Sequence, residues 1–196
     1  MLGANLSGTL NSLRLVTRPE LCVPHLTIPT FNDLPVPIVI PGRNQPKAVV
    51  LDKDNCFAVP HDNKVFPEYA AKWKELRECY PGSRLLIVSN TAGTTDDVDQ
   101  EQAITIENNT QVPVLRHSTK KPGCYEEIME YFRGKGVCDS AEDVAVVGDR
   151  LFTDILMANL MGASGVWVSK GVVNSDNWLI NFERRFYQGV LNRRRN

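Results

Sequence analysis

The chain has 196 residues, 42% of them apolar and 23% charged, enough to bury a substantial core in one domain with appendages. Its five cysteines (Cys22, Cys56, Cys79, Cys124, Cys138) are an odd number without C-x-x-C spacing, which argues against a disulfide framework and a zinc site and for a reducing compartment. No apolar run approaches the roughly 18 residues needed to cross a bilayer, so no transmembrane segment is expected, and no nucleic-acid partner either.

The net charge of −1 hides an uneven distribution: residues 1–19 carry +2, residues 183–196 carry +4, and the middle carries −7. An acidic body with basic ends suits a negatively charged surface approached by the ends.

Leu2, Leu6, Leu10 and Leu13 fall at helical spacing, weakened by Gly3 and Gly8, and suggest a short amphipathic helix. Six prolines between Pro24 and Pro46 exclude a helix interior or a central strand there, leaving an extended arm. Beyond Lys47, β-branched runs predict strands at 47–52, 84–89, 112–116, 143–148 and 164–169. Phe66, Tyr69, Ala70, Trp73 and Leu76 mark one helix face, and Tyr125, Ile128, Met129 and Phe132 mark another behind Pro122, a favoured first-turn residue. Trp178, Phe182, Phe186 and Val190 recur every fourth residue, widened by Leu179 and Tyr187, and predict a C-terminal amphipathic helix carrying Arg184 and Arg185, with Arg193, Arg194 and Arg195 beyond. Near-continuous apolar strands separated by helices mean an α/β fold, a doubly wound parallel sheet covered on both faces. The expected division is an N-terminal segment and arm (1–46), a core (47–170) and a C-terminal helix with a basic tail (171–196).

Ligands of such sheets sit beyond the carboxyl ends of the strands, and those ends carry the chemistry. The first ends in "VVLDKDNC", where Asp52 and Asp54, two apart in an extended segment, can face one site. The second ends in "VSNTAG" with Ser89 and Asn90; "HSTKKPG" supplies Lys120 and Lys121; "VGDRLFTD" supplies Asp149 and Asp154. Converging carboxylates repel one another unless a cation sits among them, which implies a hard divalent ion, Mg²⁺. His61, Arg116, His117 and Arg150 stand near these motifs in sequence.

This order and spacing resemble the haloacid dehalogenase superfamily of phosphotransferases over about residues 47–170. The resemblance implies that Asp52 is a nucleophile forming an aspartyl-phosphate, and that Asp54 protonates the leaving oxygen and then activates water. It implies that Ser89 and Asn90 hold phosphoryl oxygens, that Lys121 balances phosphoryl charge, and that Asp52, Asp149 and the backbone carbonyl of Asp54 bind Mg²⁺, with Asp154, Lys53 and Arg150 in support. The superfamily usually has an apolar residue where Lys53 stands and a threonine where Cys56 stands. Lys53 is either a contact to a substrate phosphate or a solvated loop charge, and Cys56 is read as a small packed replacement. A cysteine phosphatase needs an arginine six positions after its cysteine, and Asp62 follows Cys56 at that distance. A receiver domain carries its phosphoacceptor on the third strand, whereas the D-x-D here is on the first.

There is room for one helix between Asn55 and Arg84 and one between Gly93 and His117, but none for an inserted lid. A lidless member of this superfamily looks like one with an open site for a large or surface-bound substrate. The full motif set, with "SGTLNSLRL" and "IPTFNDLPVP" near the start, is similar to the mitochondrial phosphatidylglycerophosphate phosphatases of fungi. That similarity implies removal of a phosphomonoester from a phospholipid, a step toward cardiolipin, by a peripheral enzyme at an anionic membrane on the matrix side of the inner membrane. A phosphatase of the same superfamily acting on a soluble phosphomonoester would differ only in the chain ends.

Overall fold

Five parallel strands form one sheet among the described residues: β1 (Leu26–Ile28), β2 (Ala48–Leu51), β3 (Leu85–Ile87), β4 (Val144–Gly148) and β5 (Ser164–Val168), in the order β1-β5-β4-β2-β3. The structure, a computed structural model, describes residue 15 and residues 17–173 and 178–195. The leucines at 2, 6, 10 and 13 lie outside the described residues, as do the side chains of Trp178, Leu179, Arg194 and Arg195.

Alternation along each strand sorts its side chains into two cores. Val49, Leu51, Leu85, Ile87, Ala145 and Val147 face a core closed by Trp73 and Leu76 of α1 (Ala70–Cys79) and by Ala103 and Ile106 of α2 (Glu101–Thr110). Val50, Leu86, Val88, Val144 and Val146 face the other, closed by Ile128, Met129 and Phe132 of α3 (Tyr125–Gly134) and by Met157 and Ala158 of α4 (Leu156–Met161). Helices cover both faces, so the sheet is doubly wound. Every residue of β2 is buried, which explains why that strand reads as an unbroken apolar run. With β3 on one side of β2 and β4 on the other, the carboxyl end of β2 lies at the crevice where such sheets bind ligands.

Two strand expectations change. β1 was not predicted: it lies in the proline-rich arm and pairs with β5, Leu26 opposite Val166. Three residues between Pro24 and Pro29 suffice for an edge strand, which needs hydrogen bonds on one side only. The chain after it turns inward, burying Phe31, Leu34, Ile38 and Ile40 in the first core. Residues 112–116, predicted as a strand, make a single bridge, Val114 opposite Ile87. Pro113 has no N–H to extend the ladder.

The helix faces also shift. Tyr69, Trp73 and Leu76 are buried, but Ala70 is exposed, one position past the face that Tyr69 occupies. Pro122 precedes α3, which starts at Tyr125, rather than opening it. In α5 (Trp178–Arg195) the buried residues are Ile180, Glu183 and Val190, with Phe186 and Tyr187 partly buried, while Phe182 stays 52% exposed. Val190 packs in a third cluster with Leu21, Leu151, Leu156 and Trp167, so this part of the stripe is core. Among the described residues no helix is long and apolar enough to cross a membrane.

Candidate active site

The polypeptide leaves β2 at Asp52, whose N–H is still held by Val147 O at 2.9 Å. This last sheet bond fixes the nucleophile candidate at the end of an interior strand rather than on a free loop. From β4 the chain runs through Gly148 to Asp149 and then through a π-type turn, Leu151–Ile155, that brings Asp154 back under the strand end. Gly148 is required there: a Cβ would lie 2.3 Å from Asp154 Oδ2. The Trp167 indole N–H donates to Asp149 O at 2.9 Å and holds that turn from β5.

Asp52, Asp149 and Asp154 are all buried, and their carboxylate oxygens lie within 4.8 Å of one another. Lys121, also buried, donates from Nζ to Asp154 Oδ1 at 2.7 Å and to Asp52 Oδ1. Burial pushes the Asp52 carboxyl up to about 7, against the pull of Lys121 and with the push of Asp154 and Asp54. Burial, then the charges of Asp52 and Asp154, pushes Asp149 well above the usual carboxylate range; Asn55, donating from Nδ2 at 3.1 Å, opposes this. For Lys121 burial acts downward, but Asp154 and Asp52 outweigh it and hold the ammonium above the usual lysine value. One ammonium thus serves two carboxylates, while the third is opposed by the Asn55 amide and the charge of Arg150. This donor set could hold a metal ion, because a cation there would let all three carboxylates ionise.

Asp54 does not join that cluster through its carboxylate. Its Oδ1 accepts from Lys53 Nζ at 2.6 Å and from the His61 N–H at 2.7 Å. Lys53 is therefore not a solvated loop charge. It is 2% exposed, and its ammonium bridges Asp54 and the Asp62 carbonyl, the latter at 2.9 Å. Cys56 is fully buried, and burial pushes its thiol well above the usual value, as a packed residue requires.

Asp52, Asp54, Asn90, Lys121, Asp149, Arg150 and Asp154 line one pocket of about 550 Å³. Ser89 lies beneath it: its Oγ accepts the Thr91 N–H at 3.2 Å, and Asn90 and Thr91 form the wall. Asn90 Oδ1 accepts the Lys121 N–H at 2.7 Å. Arg150 turns its guanidinium to Glu183, donating from Nε at 3.0 Å. Val173 and Ile180 form an apolar side of the same pocket.

Three contributors were not legible as such. Asn55 reads as a turn residue, and its φ of 60° fits that, yet its amide also holds Asp149 and takes the Val172 and Val173 N–H groups on Oδ1. Glu183, buried, takes Arg150 and the Leu151 N–H, tying α5 to the turn between Asp149 and Asp154. Its position as the one acid among five arginines was the available signal. His117 was noted only as near the motifs; it joins two pocket loops.

The chain is 57% identical over 183 residues to the mitochondrial phosphatidylglycerophosphatase GEP4 of Saccharomyces cerevisiae, covering 93% of this chain and 97% of that protein. It is 33% identical to a probable mitochondrial phosphatidylglycerophosphatase of Schizosaccharomyces pombe, covering 95% and 92%. It is 29% identical to the chloroplastic/mitochondrial phosphatidylglycerophosphate phosphatase 1 of Arabidopsis thaliana, covering 96% of this chain and 53% of that one. No solved structure matches. The family model described as mitochondrial PGP phosphatase matches residues 6–173, a span that contains every pocket carboxylate described above, and the chain belongs to that family.

Proposed function

We propose that this chain hydrolyses the phosphomonoester of phosphatidylglycerophosphate, leaving phosphatidylglycerol, through an aspartyl-phosphate on Asp52. The observation that carries the reading is the cluster of three buried carboxylates around Lys121 at the end of an interior strand. A carboxylate held at the head of a pocket beside a lysine is placed to attack phosphorus, and phosphoryl transfer asks mainly for positioning and charge stabilisation.

In the first step an Asp52 oxygen bonds to phosphorus and the bond from phosphorus to the glycerol oxygen breaks. Asp54 gives that oxygen its proton, so the lipid leaves as an alcohol. Lys53 and the His61 N–H fix Asp54 Oδ1, which leaves Oδ2 to exchange the proton. In the second step Asp54 takes a proton from water, the water oxygen attacks phosphorus, and Asp52 is released with inorganic phosphate. Lys121 and the Asn90–Thr91 wall bind the phosphoryl oxygens in both steps, with Ser89 supporting that wall. Asp52, Asp149 and the Asp54 carbonyl, with Asp154 alongside, are the residues that would hold Mg²⁺, which when bound supplies the charge that draws an anionic substrate to an anionic nucleophile.

The lipid substrate is supported by the names of the relatives and by the pocket's apolar side. It is also supported by Phe182 and Phe152, which meet edge to face at 6.2 Å, Phe182 being exposed, on the helix that supplies Ile180. The basic ends suit peripheral binding to an anionic membrane, read here as the matrix side of the mitochondrial inner membrane. A phosphate-release panel tests the assignment: a lipid phosphomonoester in mixed micelles should be turned over far faster than sugar or nucleotide phosphates. Equal kcat/KM on a soluble sugar phosphate would move the enzyme to soluble substrates.

A further inference from the structure

His117 is buried, and no step above uses it. Both of its ring nitrogens face backbone carbonyl oxygens: Nε2 stands 2.9 Å from Ser89 O and Nδ1 stands 2.7 Å from Thr119 O. A carbonyl oxygen can only accept, so each contact is a hydrogen bond when the ring nitrogen facing it carries a proton, and the two nitrogens are seated against the two carbonyls in either case. One carbonyl belongs to the loop after β3, the other to the loop that carries Lys120 and Lys121. The His117 main chain adds another tie, its N–H donating to Gly93 O at 2.9 Å.

The two loops are the two halves of the wall that faces a phosphoryl group. Asn90 and Thr91 belong to one, and Lys121, whose ammonium reaches Asp52 and Asp154, belongs to the other. A trans peptide plane points its C=O and its N–H in opposite directions. Drawing Ser89 O toward the ring therefore turns the Asn90 N–H away from the ring. The ring that touches both loops is buried and is not among the residues lining the pocket.

We propose that His117 is a positioning residue: its imidazole is a two-point clamp that fixes the Ser89–Thr91 loop against the Thr119–Lys121 loop and so sets the grip on the phosphoryl group. The proposal rests on phosphoryl binding in this pocket, as argued above. Asp52 and Asp54, the carboxylates to which the chemistry is assigned above, follow β2 and belong to neither of the two loops. Loosening it weakens binding of the phosphoryl group more than the chemical steps.

The test compares the full-length wild type with His117→Gln and His117→Ala on a soluble aryl phosphate, with inorganic phosphate as inhibitor and thermal melting recorded for each. Glutamine carries its donors on one nitrogen and cannot span two carbonyls on opposite sides of a ring. His117→Gln should raise KM and the inhibition constant of phosphate about tenfold each, the loss expected from one hydrogen bond. The activation constant for Mg²⁺ should stay unchanged and kcat should fall less than KM rises. Added imidazole should restore phosphate affinity in His117→Ala; if that variant does not fold, His117→Gln decides alone. KM and phosphate inhibition within twofold of wild type in His117→Gln, at whatever melting temperature, would assign the ring to stability and overturn the proposal. So would a loss confined to kcat. Failure of the wild type itself to bind phosphate would instead count against the reading of the pocket.

Discussion

The carboxyl edge of the sheet and the C-terminal helix handle charge in opposite ways. At the edge, Asp52, Asp149, Asp154 and Lys121 are buried within a few ångströms of one another; burial and neighbouring carboxylates push Asp52 and Asp149 up, and Lys121 is held up against its burial by Asp154 and Asp52. Along α5, Arg185 and Arg193 stay at the surface, where charge costs little and acts only through the surrounding field. Glu183 is where the two regimes meet: it is a buried carboxylate on the helix, partnered by Arg150 and by backbone N–H groups of the turn between Asp149 and Asp154. Buried charge is kept where other buried groups partner it, and exposed charge where water solvates it.

Four changes break or sharpen this contrast, the first with the largest effect. Asp52→Asn removes the carboxylate proposed to attack phosphorus, and with it one of the three clustered carboxylates. Phosphate release should fall about a thousandfold or more, as for loss of a covalent nucleophile, while the melting temperature of the metal-free protein holds or rises. Near-normal release from Asp52→Asn would show that the carboxylate is not the nucleophile.

Metal removal comes second. A chelator should abolish activity and Mg²⁺ should restore it, with Ca²⁺ a poor substitute because it prefers a larger, looser oxygen shell. Added Mg²⁺ should also raise the melting temperature, since a ligand that binds only the folded state stabilises it. Full activity in chelator would leave the carboxylate cluster without a metal role.

Glu183→Ala tests the meeting point. It strips Arg150 of its partner and the Leu151 N–H of its acceptor, and should cost about 3 kcal/mol of stability by denaturant titration. Glu183→Gln, which retains an acceptor, should cost less. A loss under 1 kcal/mol in the alanine variant would mean that the helix is seated by its apolar contacts alone.

The smallest effect on catalysis is expected from the exposed arginines. Changing Arg185, Arg193, Arg194 and Arg195 to glutamine should weaken binding to anionic liposomes in a salt-sensitive way, about 1 kcal/mol per residue near the surface. Hydrolysis of a soluble aryl phosphate should not change. Arg184 is left in place because it donates to Ser169 O at 2.7 Å. Equal liposome binding by wild type and variant at low salt would assign these arginines to solubility.

The sequence by itself determined β2 to β5, because a strand buried on both faces must be apolar throughout, and a run such as Ala48–Leu51 can hardly be anything else. It also placed Asp52, Asp149 and Asp154 after strand ends, since their motifs follow those runs, and Lys121 in the motif ahead of a helix. Tertiary structure decided what short-range pattern does not encode. β1 exists because β5 offers it an edge, and Asp54 turns to Lys53 because the loop through His61 closes over it. Asn55 meets Asp149 across 94 residues of chain, and Glu183 meets Arg150 across 33. Buried polar groups must find partners wherever the fold brings them, and those pairings follow from proximity in space rather than from any spacing along the chain.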